Sequence, residues 1–120
     1  MRILGFVKHW PKLNRDKFTT FRYPRRDKDW YIGEKVQVVI KPRSKDKVWL
    51  GVAEIIAKEK RNVGWIRMNG IRNLAFEEAI DDGFRSRSHM TGWLYNLYGD
   101  RILVEPMNKL ILAWKERSDD

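Results

Sequence analysis

Strict alternation between Lys35 and Lys41 constrains this chain more than any other feature. Val36, Val38 and Ile40 alternate with Lys35, Gln37 and Val39, the period of two that a strand imposes on its side chains. Pro42–Lys47 follows as a polar turn containing Ser44 and Asp46. Val48–Lys58 then reads as a second strand, in which Trp49, Ala53 and Ile55 share a face and Gly51 marks a bulge. Two such strands around a short polar turn predict a hairpin, so the fold contains an antiparallel sheet.

The remaining segments decide what accompanies it. Ile3–Val7 and Lys17–Tyr23 are shorter candidate strands, the second rich in aromatic and β-branched residues. His9–Leu13, with Pro11 near its start, suits a turn or one helical turn, and Pro24–Asp29 is a charged turn. After Asn62 the period changes. Leu74 to Asp81 shows helical spacing, with Asn73 as N-cap and Gly83 ending the helix. A second helix, capped by Ser86 or Ser88, runs to about Tyr98 and carries Met90, Trp93, Leu94 and Leu97; Gly99 stops it. Ile102–Glu105 and Lys109–Lys115, separated by Pro106, read as extended, and 116–120 as a frayed polar tail. Trp49, Trp65, Trp93 and Trp114 sit in apolar segments and are expected in the core, with Trp10 and Trp30 exposed. Strands, a helical pair, then strands indicate an α+β domain around a small curled sheet or barrel. The 120 residues suffice for one such domain.

Charge narrows the partner. The chain carries 25 Lys and Arg against 16 Asp and Glu, a formal net charge of +9, and an excess of that size in a small domain favours a polyanionic ligand. Residues 1–30 hold nine basic and three acidic side chains, whereas the last thirty hold four and five. The alternative is a solvated basic surface of the kind thermophilic proteins favour, which a single Gln in the chain also suits.

Other chemistries are excluded by composition. With no cysteine there is no disulfide, thiolate nucleophile or cysteine-based zinc site. His9 and His89 stand eighty residues apart in no ligand spacing, so neither a metal centre nor a cofactor is expected, and an ordinary structural or surface role is expected of both. The longest apolar runs are strand-sized, far short of a membrane span or a signal-peptide core. A cytoplasmic protein with no membrane partner is the expectation.

Three clusters carry candidate binding chemistry. Arg22, Arg25, Arg26 and Lys28 are interleaved with Phe21, Tyr23 and Trp30; guanidinium groups chelate phosphate while exposed aromatics stack on unpaired bases. Lys41, Arg43, Lys45 and Lys47 surround the hairpin tip, where they either track a phosphate backbone or keep an edge soluble. Arg85, Ser86 and Arg87, with Ser88, lie at a helix start whose free N–H groups favour an anion.

The order of motifs also resembles a known family. Lys17-Phe18-Thr19-Thr20-Phe21-Arg22 looks like the "G-x-K-T-x-T-x-R" signature of ASCH domains, members of the PUA-like fold. Tyr31-Ile32-Gly33-Glu34-Lys35-Val36 is similar to that family's "y-x-v-G-d-x-v", and Gly51-Val52-Ala53-Glu54-Ile55 to its "g-x-a-e-i". Ala79-Ile80-Asp81-Asp82-Gly83-Phe84 resembles "A-x-x-E-G-f", and the stretch from Trp93 to Tyr98-Gly99 resembles the "l-x-x-l-Y" helix. The likeness spans roughly residues 3–115. Two departures stand out: Arg15-Asp16 replaces the small residue and Gly before the lysine, and Phe18 replaces the first Thr. The resemblance implies a small mixed β-barrel with two or three helices beside it, binding RNA or a nucleotide in a basic cleft. One bacterial branch is an amidohydrolase that removes the acetyl group of N(4)-acetylcytidine with a Lys, a Thr and a Glu. By motif these fall on Lys17, Thr20 and Asp82, the last a shorter carboxylate. A lysine with a depressed pKa can activate a threonine hydroxyl, and Arg15, Arg22, Arg25 and Arg26 would depress it. Lys17 and Thr20 lie on opposite faces of a regular strand, so a shared site requires Lys17 on the turn before it. A third reading is an adaptor whose basic face meets an acidic protein.

Overall fold

The computed structural model describes residues 1–65 and 68–118. Five strands, β1 (Arg2–Phe6), β2 (Lys17–Arg22), β3 (Lys35–Ile40), β4 (Val48–Arg61) and β5 (Met107–Arg117), form one curled half-barrel sheet in the order β1-β3-β4-β5-β2. β1 runs parallel to β3, and the other three pairings are antiparallel. The helices α1 (Phe76–Asp81), α2 (Arg87–Tyr98) and α3 (Arg101–Val104) all fall between β4 and β5, and a 3-10 turn over Pro11–Asn14 joins β1 to β2. The result is a small α+β domain, mixed in its sheet.

The expected hairpin is present. β3 and β4 pair from Lys35 opposite Glu54 to Ile40 opposite Val48, with a register shift between Val38 and Val39. That shift leaves Leu50 as the extra residue, and Gly51 beside it has φ +148°. A Cβ on Gly51 would stand 2.0 Å from the Glu116 carbonyl oxygen, so the bulge and the approach of β5 both require glycine there.

Leu4, Phe18, Val38, Ile55 and Leu112, one from each strand, are buried together, and Met90, Leu94 and Ile102 close the core from the helical side. Each buried aliphatic or aromatic side chain of this kind stabilises by about 1.5–3 kcal/mol relative to exposure.

Four expectations are overturned. Ile102–Glu105 is not extended: Arg101–Val104 forms one helical turn, because Ile102 enters the core from it and Arg101 bonds Glu105 four residues on at 2.6 Å. The tail joins the sheet further than foreseen, with Arg117 opposite Gly51 and the Ser118 N–H donating to the Leu50 carbonyl at 2.8 Å; residues 119–120 lie outside the described residues. The N-cap of α1 is Ala75, not Asn73, whose side-chain oxygen instead accepts from Asn62 at 3.2 Å. The tryptophans are largely exchanged between core and surface. Trp10 and Trp30 are only 8% and 2% exposed, Trp65 is 62% exposed, Trp49 is exposed, and Trp93 and Trp114 are half-buried. Neighbouring cations misled the reading, since Arg2 covers the Trp30 ring at 4.5 Å and Lys8 the Trp10 ring at 4.0 Å. An aromatic flanked by basic residues is packed beneath their charge as readily as it is exposed.

The half-barrel has two edges, β1 and β2. Arginine side chains bridge them. Arg22 Nη2 donates to the Gly5 carbonyl at 2.7 Å, and Arg25 Nη1 to the Ile3 carbonyl at 3.0 Å.

Candidate functional site

The seam between β1 and β2 opens into a cavity of about 260 Å³. Its apolar wall includes Phe6 of β1, Trp10, Phe84 and Trp93, and its polar groups come from Lys12, Thr20, Arg22 and Asp82. The aromatic rings hold one another: Trp10 lies 5.3 Å from Phe84 and 5.4 Å, edge-on, from Trp93. Gly83, with φ +110°, makes this contact feasible, because a Cβ there would sit 3.0 Å from Trp10 Cε3. The residue after the helix is therefore glycine for two reasons, its left-handed backbone and the indole against it.

At the inner end of the cavity is a buried ion pair. Lys12 Nζ donates to Asp82 Oδ1 at 2.9 Å, and the two residues are 3% and 5% exposed. The Thr19 hydroxyl donates to the same oxygen at 2.9 Å. Burial pushes Asp82 above the usual carboxylate range, although Lys12, Thr19 and Arg22 oppose the shift. Burial likewise pulls the Lys12 ammonium below its ordinary value against the attraction of Asp82. Both shifts act toward the neutral forms, the cost of taking two charges out of water. Arg22 Nε donates to Thr20 Oγ1 at 3.0 Å, and the guanidinium carbon lies 4.8 Å from the centroid of the Phe6 ring. Burial lowers its pKa as well, yet an arginine stays protonated at neutral pH.

A second hollow, of about 480 Å³, adjoins the first and shares Gly5, Arg22 and Tyr98 with it. It is cationic, with Arg22, Arg25, Arg43 and Arg101 on its walls beside Tyr23 and Trp30. Tyr23, pushed up to about 12 by burial and by Glu105, stays a neutral phenol and donates to the Glu105 carbonyl at 3.0 Å. Arg101 sits over its ring at 3.8 Å.

Thr20, Arg22 and Asp82 thus line one cavity, and Arg25 borders the adjoining one. Lys17 does not join them. It is the first residue of β2, paired with Ala113, and exposed with no ion pair or hydrogen-bonded side chain among the described residues. No turn precedes Thr20 closely enough to bring Lys17 back, and the lysine beside Asp82 is Lys12, on the 3-10 turn. Arg26 is exposed, and Lys28 lies 5.0 Å from the Tyr31 ring, away from both hollows. At the start of α2, Ser86 Oγ accepts from the His89 N–H at 3.0 Å, which occupies the cap. The Arg85 N–H bonds His89 Nδ1 at 3.2 Å, and Arg87 borders a separate small hollow with Trp65 and Thr91. The 85–87 cluster is therefore apart from Arg22 and Arg25, and of the residues between α1 and α2 it is Asp82 and Phe84 that reach the cavity. His9 bonds the Asn14 side chain at 3.2 Å and His89 packs on Phe84. Lys12 and Phe6 were missed as site residues. A lone lysine between Pro11 and Leu13 carries no pattern; its one local sign is its place in a short aromatic turn between two strands.

Much of the basic excess of residues 1–30 is used internally. Arg2 pairs with Glu34 at 2.6 Å and Asp27 at 3.2 Å, Lys12 with Asp82, and Arg22 and Arg25 with carbonyls of β1. Among the described residues no three His, Cys, Asp or Glu side chains gather as metal ligands, and no helix is long and apolar enough to cross a membrane. No family model, curated protein or solved structure matches the chain.

Proposed function

We propose that the chain is a cytoplasmic PUA-like domain that binds single-stranded RNA, or a nucleotide of it, in the seam between β1 and β2. The observation that carries this reading is the pair of adjoining hollows. One is walled by six aromatic residues and ends in polar groups, and the other is walled by four arginines, with Arg22 common to both. A base needs a flat apolar slot with a few fixed hydrogen-bonding groups, and its phosphates need cations alongside. Each guanidinium has five N–H donors, so the one bond that each of Arg22 and Arg25 makes to β1, and the one Arg22 makes to Thr20, leave donors for phosphate. The curled mixed sheet with helices beside it accords with the PUA-like part of the proposal.

Fluorescence anisotropy with labelled single-stranded RNA tests it. Affinity is expected to fall steeply between 50 and 200 mM salt, with a log–log slope of roughly −0.7 per phosphate contacted. Arg25→Ala is expected to weaken binding several-fold. Binding indifferent to salt, or none to any RNA, would sink the reading. Capture of an acidic protein from nuclease-treated lysate, without RNA affinity, would favour the adaptor instead.

A second reading, an amidohydrolase of an acylated cytidine, is favoured by one observation, the buried Lys12–Asp82 pair with the Thr19 hydroxyl against it. In that case Lys12, and not Lys17, supplies the amine. Turnover of N(4)-acetylcytidine lost in Lys12→Ala but kept in Lys17→Ala is the expected result, and an unchanged substrate after hours with the wild-type protein excludes it.

A further inference from the structure

The basic groups of the molecule differ in what their charges already do. Those of residues 1–30 are mostly engaged by carboxylates, carbonyls and rings, and Arg101 is held by Glu105. At the β3–β4 turn, Lys41, Arg43, Lys45 and Lys47 are all exposed, and none has an ion pair or a bonded side chain among the described residues. Asp46 is the one acid within that turn.

This turn is not remote from the seam. Pro42 and Arg43 form part of the arginine-lined hollow. A third, shallower hollow, of about 490 Å³, runs from Gly5, Phe6 and Val7 of the seam out to Lys41, Pro42 and Arg43. All three hollows meet at Gly5, and the Lys41 N–H is tied to the Phe6 carbonyl at 2.8 Å. The base-sized cavity, the arginine hollow and, of the unpaired cations, Lys41 and Arg43 therefore form one continuous surface, and Lys45 and Lys47 follow on the same exposed turn.

We infer that the preferred ligand is a strand several nucleotides long, one base in the seam and its backbone continuing over the β3–β4 turn, and not a free nucleotide. This rests on the nucleic-acid reading of the seam and adds the length and course of the ligand to it. A mononucleotide or dinucleotide fills the cavity and the arginine hollow but leaves Lys45 and Lys47 without phosphate. A longer strand meets them and releases additional counterions.

The experiment compares a labelled RNA dinucleotide with an octanucleotide, each titrated against wild-type protein and the Lys45→Gln/Lys47→Gln variant at several salt concentrations. Both residues are exposed turn positions outside the core, so the variant keeps the fold. The octanucleotide is expected to bind at least tenfold tighter than the dinucleotide. In the variant its log–log salt slope is expected to shrink by about 1.4, two phosphates at ~0.7 each, while dinucleotide affinity is unchanged. Equal affinity and slope for the two ligands, or an octanucleotide indifferent to the double substitution, overturns the extended track and leaves the seam reading standing. Failure of both ligands to bind overturns the seam reading, and the track with it.

Discussion

Glu78 and Asp82 stand four residues apart at the two ends of α1, and the protein treats them oppositely. Glu78 meets two cations, Arg61 at 2.9 Å and Lys109 at 2.7 Å, and its Oε1 accepts the Ala75 N–H at 3.0 Å. Burial raises its pKa, but Lys109, the Ala75 N–H and Arg61 together outweigh burial and hold it low. Asp82 meets one ammonium and one hydroxyl, and burial wins. It also stands at the helix C-terminus, where the backbone carbonyls disfavour a negative charge; Glu78 lies in the first turn, where the N–H groups favour one. A carboxylate with surplus cations fastens β4, β5 and α1 together. One with a single buried cation lies beside an open cavity, the setting in which a perturbed carboxylate is a candidate functional group.

The largest effect that can break this contrast is at Lys12. Lys12→Met strands a buried carboxylate and is expected to cost about 3–5 kcal/mol in urea unfolding. Lys12→Met/Asp82→Leu removes both charges and is expected to recover most of that loss. If the double variant is as unstable as the single one, the pair contributes by packing and not by charge. The single variant also carries a pH signature. Without Lys12, Asp82 rises further above its ordinary 3.8. A group raised on folding contributes stability that is complete below its unfolded pKa and lost as pH climbs through the folded one. Lys12→Met is thus expected to lose stability from acid toward neutral pH. Glu78 has the reverse sign: its contribution is complete above 4.5 and lost as pH falls through its lowered folded value.

Glu78→Gln sharpens the comparison with a smaller effect. It keeps the shape but leaves Lys109 without its acid and the buried Arg61 with Glu59 alone, at an expected cost of about 1.5–3 kcal/mol. That variant is also expected to unfold less steeply in acid than wild type; an unaltered acid limb would show that Glu78 does not fasten the fold.

The sheet was legible in the sequence where side chains alternate. β3, the bulge at Gly51 and the start of α2 at Ser86 follow from periodicity and from residue types with one conformational use. α3 was not, because Ile102, Leu103 and Val104 favour strands, and only the core contact of Ile102 and the bond from Arg101 to Glu105 make them helical. Within the site, Thr20, Arg22 and Asp82 were within reach of the motif reading, since strand and helix-end positions are fixed locally. Lys12 was not, because its pairing with Asp82 spans 70 residues and nothing near it announces burial. Trp10 and Trp30 failed for the same reason: local charge described their neighbours and not their depth.

The arginines across the seam have one more consequence. An outer strand such as β1 ordinarily presents bare carbonyls to any extended chain that approaches, the starting point of strand-to-strand aggregation. Arg22 and Arg25 already satisfy the Gly5 and Ile3 carbonyls. Two long cationic side chains thereby do what a sixth strand would do, without closing the barrel. The border therefore offers fewer free carbonyls to an approaching polypeptide strand.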